Sequence, residues 1–125
     1  MSYIKKRGKN STSKRKILKN LVADVILYEK IETNLPTAHA LTKLLAKLIK
    51  WGKKNDLHSR RLSLRYLVNK KKTEIIRGGK KIKLFDKLFN ELAIRYSARN
   101  SGYSRIIKLG HRIGDNTTRV LFSLV

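Results

Sequence analysis

The chain predicts an α+β fold of two layers, a small sheet packed on helices, in the order α-β-α-α-α-β-β. Three observations carry that expectation. Apolar residues recur at three- and four-residue spacing in four separate segments, the period of a helix with one buried face. Near the C-terminus the period falls to two, in a pair of runs separated by Gly110, Gly114, Asp115 and Asn116, residue types that reverse a chain. A length of 125 residues suits one domain with a modest core.

Residues 1–13 read as a flexible basic arm. Lys5, Lys6, Arg7 and Lys9, followed by Lys14, Arg15 and Lys16, lie among Gly, Ser, Thr and Asn, and no acid precedes Asp24. Such a segment has almost nothing to bury, but it can follow a phosphate backbone and order on it. Residues 14–125 then form a single α+β domain. One of Ser11 to Ser13 caps its first helix, which carries Lys19 and places Ile17, Leu18, Leu21, Val22 and Val25 on one stripe. Ile31 to Thr33 leave room for only a short strand. Asn34 can cap the second helix, and Pro36 sits in its first turn, where a missing N–H costs nothing. Ala38, Leu41, Leu45, Leu48 and Ile49 form its apolar stripe, and Gly52 reads as its end. On its other side Lys43, Lys47, Lys50 and Lys54 follow at i, i+4, i+7 and i+11, a ladder of ammonium groups that no acid interrupts.

Asn55 or Asp56 can cap the third helix, with Leu57, Leu64, Leu67 and Val68 inward and Arg60, Arg61 and Arg65 outward. A basic insertion at about 70–82 follows, in which Gly78 and Gly79 separate Ile75-Ile76-Arg77 from Lys80-Lys81-Ile82; it reads equally as a small hairpin or a basic loop. Leu84, Phe85, Leu88, Phe89, Leu92 and Tyr96 mark the fourth helix, from about Lys83 to Ala98, and residues 100–102 stop it. In the closing hairpin Tyr103, Arg105, Ile107 and Leu109 share one face of the first strand and Ser104, Ile106 and Lys108 the other. Val120, Phe122 and Leu124 share a face of the second strand. Leu21, Leu45, Leu88 and Phe122 should be buried together, with residues up to about 12 outside the core.

Function is bounded first by charge. Thirty-one Lys and Arg against eight acids give a formal charge of +23, and self-repulsion of that size favours a polyanionic partner, nucleic acid foremost. Without cysteine there is neither a disulfide framework nor a thiolate metal site. No segment approaches the ~20 apolar residues of a membrane span. Catalytic signals are missing as well. Gly78-Gly79-Lys80 lacks phosphate-loop spacing, His39, His58 and His111 are scattered, Glu29 and Glu32 beside Lys30 look like surface charges, and Asp115 belongs to a turn. The chain therefore reads as no enzyme, with no cofactor, no metal and no small-molecule substrate. Its candidate RNA contacts are Lys5, Lys6, Arg7, Lys9, Lys14, Arg15, Lys16 and Lys19, the lysine ladder, and Arg60 and Arg61 of the third helix, which supply charge, together with Arg99, Tyr103, Arg105 and Arg112. Held in set geometry, Tyr103, Arg105 and the loop-tip Arg112 can match one RNA shape by stacking and forked hydrogen bonds. Tyr103 reads equally as a core residue. A DNA-compacting protein would share the charge, and a membrane-surface protein could use the Pro36–Trp51 helix with its terminal Trp51.

The stretch Asn20–Leu41, Asn-Leu-Val-Ala-Asp-Val-Ile-Leu-Tyr-Glu-Lys-Ile-Glu-Thr-Asn-Leu-Pro-Thr-Ala-His-Ala-Leu, resembles the signature of the bacterial large-subunit ribosomal protein seventeen family. So do Arg60-Arg61-Leu62, the run Lys87-Leu88-Phe89-Asn90-Glu91-Leu92, and Gly102-Tyr103-Ser104-Arg105-Ile106 with Gly114-Asp115-Asn116. The sequence departs from the usual family pattern at Lys14-Arg15, Tyr28, Asn34 and Thr37-Ala38-His39, and its Lys70–Ile82 stretch is longer than the common form. The resemblance implies a cytoplasmic structural protein of the bacterial large subunit, near the outer end of the peptide exit tunnel. It implies large-subunit rRNA and neighbouring large-subunit proteins as partners, and no membrane.

Overall fold

The computed structural model of the chain describes residues 10–67, 74–77 and 80–125, with side chains described over 10–67 and 83–125. Asn10 is extended and its Oδ1 accepts from the Ser13 N–H at 2.8 Å, so helix α1 runs Ser11–Tyr28. The serines expected to cap it form its first turn instead, because the carboxamide upstream satisfies an orphan N–H of that turn. Three residues read as arm thus belong to the helix, and the arm's Lys5, Lys6, Arg7 and Lys9 lie outside the described residues. Val22, Ala23, Val25, Ile26 and Leu27 are buried, whereas Ile17 is exposed and Leu18 and Leu21 are only partly covered. Only the C-terminal half of α1 enters the core.

Helix α1 stops at Glu29, whose φ of 65° turns the chain while its N–H still bonds the Val25 carbonyl. Strand β1 (Lys30–Asn34) leads directly into α2 (Leu35–Lys54), with Pro36 in the first turn and Asn34 before it in an extended conformation that makes no side-chain cap. The stripe Ala38, Leu41, Leu45, Leu48 and Ile49 is buried as expected. Gly52 does not end the helix. It lies buried inside α2 where the fourth helix crosses, and a Cβ there would sit 3.4 Å from the Leu88 carbonyl oxygen. The stop comes at Asn55, whose φ of 55° asparagine tolerates better than most residues.

Helix α3 (Leu57–Leu67) begins where the Arg60 N–H bonds the Asp56 carbonyl. Two leucines expected inward, Leu57 and Leu64, are exposed; the buried side is Ser59, Ser63 and Leu67. The Ser63 hydroxyl donates to the Ser59 carbonyl at 2.9 Å, so burial leaves it satisfied, and small side chains let α3 lie close against its neighbours. Val68 lies outside the described residues.

Strands β2 (Glu74–Arg77) and β3 (Lys80–Lys83) pair antiparallel with Ile75 opposite Ile82, which makes the basic insertion a hairpin rather than a loop. The fourth helix, α4, opens with Leu84–Asp86, widens into a π-helical stretch over Lys87–Leu92 and closes with Ala93–Arg95. Leu84, Leu88, Phe89, Leu92 and Tyr96 are buried. The π stretch falls where Gly52 of α2 crosses and where Lys87 turns inward.

Strands β4 (Ser104–His111) and β5 (Thr118–Leu124) form the closing hairpin, and β1 pairs the far side of β5, giving one antiparallel sheet in the order β1-β5-β4. Its inner face presents Ile31, Ile106, Val120, Phe122 and Leu124 to the helices. Of the two faces of β4, the one carrying Ile106 packs inward, opposite Phe122, while Ile107 and Leu109 are exposed. Pairing with β5, which sends Val120 and Phe122 into the core, fixes that register. Leu45, Leu88 and Phe122 are fully buried in one cluster, with Leu21 packed against it.

Glu29, read from sequence as a surface charge, is instead the joint between the layers. Its carboxylate bonds the Lys87 ammonium at 2.9 Å and the Arg95 guanidinium at 3.0 and 3.2 Å, and its carbonyl accepts from the Leu124 N–H at 2.9 Å. Lys87 is only 3% exposed, and its other partner is the Leu27 carbonyl at 3.0 Å. The hydrogen bonds from Arg95, joined by those from Lys87 and opposed by partial burial, hold the Glu29 carboxyl at about 2 against an ordinary 4.5. A depressed carboxyl contributes stability that is complete above its unfolded value and is lost as pH falls toward its folded one. Glu29→Gln should cost about 3 kcal/mol in urea unfolding at neutral pH, because it leaves a buried ammonium uncompensated. The wild-type protein should lose stability as pH falls from 4.5 toward 2, and the variant's curve should be flatter over that window.

Candidate nucleic-acid interface

Helix α2 contains no acidic residue. Its buried stripe fixes its rotation, so Lys43, Lys47, Lys50 and Lys54 all emerge exposed on the opposite side. At 1.5 Å per residue the ladder extends about 16 Å. Among the described residues none of these four lysines has an acid partner. The ion pairs lie elsewhere: Glu29 and Glu91 hold Arg95, Glu29 also holds Lys87, Glu32 holds Arg119 and Asp115 holds Arg112. Charge is therefore segregated, neutralised on α4 and the sheet and uncompensated on α2.

Two grooves flank the ladder and meet at Lys47. One, of about 420 Å³, lies between α1, α2 and the end of α3 and is lined by Arg15, Lys19, Lys43, Lys47, Arg65 and Tyr66. Lys19 is fixed there, donating to the Arg65 carbonyl at 2.7 Å with its ammonium 5.4 Å from the centre of the Tyr66 ring. Trp51 backs Tyr66 with ring centroids 5.6 Å apart, a clamp between α2 and α3 that leaves this indole half-buried rather than presented to a membrane. No described helix is long and apolar enough to cross a membrane.

The second groove, of about 610 Å³, separates the C-terminal half of α2 from the segment 100–104. Its far wall is pinned. Lys53 Nζ and the Tyr103 hydroxyl both donate to the Arg99 carbonyl, at 2.8 and 3.1 Å, and the Arg99 guanidinium closes on the Gly102 carbonyl at 2.9 Å. Gly102 takes a φ of 69°, a conformation glycine adopts freely. Tyr103 packs edge-on against Tyr96 with centroids 5.3 Å apart, and the Tyr96 hydroxyl donates to the Val125 carbonyl at 2.8 Å. Burial raises the pKa of the Tyr96 phenol above its ordinary value.

The structure thus brings Arg15, Lys19 and the four ladder lysines to one side of the molecule. Of the two readings of Tyr103, stacking contact or core residue, it favours the core: the residue is 7% exposed, its ring packs on Tyr96 and its hydroxyl is spent on the loop. Lys14 is half-buried; Lys16, Arg61 and Arg105 are exposed, and none of these lines either groove. Arg60 bonds the Asn55 carboxamide at 2.9 Å and stands 5.5 Å from the centre of the Phe89 ring. At the hairpin tip Ile113 is outermost. Arg112 Nε bonds Asp115 Oδ1 at 3.0 Å and its Nη2 bonds Oδ2, an arrangement that holds the Asp115 carboxyl well below its usual range and raises the guanidinium. Arg112 is therefore oriented but partly neutralised. Sequence reasoning missed Lys53, Asn100 and Ser101 as groove residues. Lys53 lies off the ladder's periodicity, and residues 100–102 carry only the signal of a helix stop.

A family model described as Ribosomal protein L17 matches residues 17–125. Among curated relatives, the Large ribosomal subunit protein bL17 of Thermodesulfovibrio yellowstonii is 40% identical over 118 residues, covering 94% of this chain and 80% of that protein. Its namesake from Caldanaerobacter subterraneus subsp. tengcongensis is 39% identical over 125 residues, and that from Mesoplasma florum 38% over 125 residues, each covering both chains completely.

Because the Tyr103 hydroxyl anchors the loop and not a ligand, Tyr103→Phe should lower unfolding stability by about 1 kcal/mol, the worth of one hydrogen bond. Thermal denaturation followed by circular dichroism would measure it. A substitution without effect would show that Lys53 alone holds the Arg99 carbonyl.

Proposed function

This chain belongs to the ribosomal protein L17 family, and we propose that it binds large-subunit rRNA through its basic N-terminal segment and the uncompensated face of α2. It is a structural constituent of the bacterial large ribosomal subunit, works in the cytoplasmic ribosome and is not an enzyme. Large-subunit rRNA supplies the polyanion that a charge of +23 calls for.

The observation that carries the reading is the ladder Lys43, Lys47, Lys50 and Lys54, exposed and free of acid partners among the described residues. Flexible ammonium groups on a rigid helix neutralise phosphates without reading bases, so they supply affinity and orientation. Lys5, Lys6, Arg7 and Lys9 of residues 1–13 extend the same role, continued by Lys14, Arg15 and Lys16 at the start of α1. Arg61 and Arg65 on α3, Arg99 just before the closing hairpin and Arg105 on its first strand add further cationic contacts. Arg112 differs from all of these. Asp115 occupies its Nε and one edge of Nη2 and leaves Nη1 directed by a fixed loop, which favours recognition of one RNA shape. On the opposite side of the core the outer face of the sheet exposes Ile107 and Leu109, a surface suited to neighbouring large-subunit proteins.

Binding of the full chain to a large-subunit rRNA transcript should weaken linearly on a log–log salt plot. Changing Lys43, Lys47, Lys50 and Lys54 together to Gln should flatten the slope by up to about one unit per lost phosphate contact. An unchanged slope would remove the ladder from the interface. Replacing Lys5, Lys6 and Lys9 by Ala should weaken cognate and unrelated RNA equally, whereas Arg112→Ala should reduce discrimination between them, as read by competition at fixed ionic strength.

A further inference from the structure

The larger groove has features that phosphate binding does not require. A phosphate track needs only exposed cations, yet this groove is a cleft of about 610 Å³, within the range of ~300–1,000 Å³ over which proteins enclose a compact organic ligand. Its α2 side supplies Ala46, Thr42 and the lysine stems, a low apolar floor. Its opposite rim supplies Asn100 and Ser101, both exposed and neither making a side-chain hydrogen bond to another described residue. Nothing lies within 4 Å of the position a Gly102 Cβ would take, so the rim leaves open space beside the backbone. Three bonds hold that rim before any ligand arrives: those from Lys53 and Tyr103 to the Arg99 carbonyl, and that from Arg99 to the Gly102 carbonyl. A rim fixed in advance suits recognition of a defined shape, since little ordering remains to be done on binding.

We propose that this cleft receives one unpaired nucleotide of the bound RNA, its base against the Ala46 floor, its edge facing Asn100 and Ser101, and its flanking phosphates on Lys47, Lys50 and Lys54. The assignment rests on the rRNA-binding reading above and adds to it a contact that discriminates sequence. The chemistry fits at each point. A carboxamide offers both a donor and an acceptor to a base edge, and a hydroxyl offers either. A planar base gains from leaving water for an apolar floor. Bases available in this way occur in RNA loops and bulges, where stacking has already been interrupted. The ladder continues past the cleft at one end, where Lys43 lies in the neighbouring groove, so a strand lying along α2 would pass its opening.

The test is chemical probing of unpaired nucleotides on a large-subunit rRNA transcript bound to the full chain, by base methylation and ribose acylation. Two variants are compared with wild type: Ala46→Leu, which fills the floor without changing charge, and the double substitution Asn100→Ala with Ser101→Ala, which removes the rim's polar groups from exposed positions. Wild type should protect an unpaired nucleotide that regains reactivity in both variants, while affinity falls by about tenfold, the lower end for losing a specific base contact. The salt slope should stay as in wild type, because no phosphate contact is lost. Persistence of every protection in the double variant would overturn the cleft assignment while leaving salt-dependent binding intact. Absence of salt-dependent binding by wild type would overturn the rRNA reading itself. Circular dichroism of Ala46→Leu checks its fold, and the double variant carries the decision if that helix is disturbed.

Discussion

Glu29 constrains the fold through its backbone and side chain together. Its left-handed backbone costs on the order of 1 kcal/mol for a residue with a Cβ, and that conformation turns α1 into β1 with no loop between them. With the chain reversed there, the carboxylate falls beside Lys87 of α4, and the carbonyl meets the last residues of β5. Helix layer, sheet and fourth helix are tied at one residue. An ammonium as buried as that of Lys87 is tolerated because this carboxylate and the Leu27 carbonyl both receive it.

Acids are scarce, and their placement decides where positive charge remains available. Glu29, Glu32, Glu91 and Asp115 pair with cations on α4, β5 and the hairpin loop. Helix α2 lies central, in contact with α1, α3, α4, β1 and β5, and spends its apolar stripe on the core while its acid-free face stays in solvent. The charges that hold the fold together and those left exposed on α2 are thus separated by helix rotation, so that folding does not neutralise the α2 face.

The aromatic residues follow the same economy. Tyr103, Tyr96, Trp51 and Tyr66 pack in pairs, Tyr96 and Tyr103 joining α4 to the start of the closing hairpin and Trp51 and Tyr66 joining α2 to α3. Each pair stiffens a wall of one groove. The small polar groups and cations mounted on those walls are thereby held with little left to order.

The sequence by itself determined the α+β class, the helix stripes of α2 and α4, the short strand at β1, the Val120-Phe122-Leu124 face and the exposed lysine ladder. Periodicity reads these directly, since each depends on residues close in the chain. The family resemblance rested likewise on contiguous blocks. Tertiary structure alone decided the rest. Asn55 rather than Gly52 ends α2 because α4 packs over the glycine; Ser59 and Ser63 face inward because α3 approaches its neighbours closely; the Ile106 face of β4 is the buried one because pairing with β5 sets its register. Glu29 changes from a surface charge to the central joint because Lys87 and Arg95 reach it from residues about sixty positions away. A groove between α2 and residues 100–104 likewise exists only once the fourth helix has folded back across Gly52. Local pattern records which way a side chain points from its own element, and what it meets there is set by contacts between elements distant in sequence.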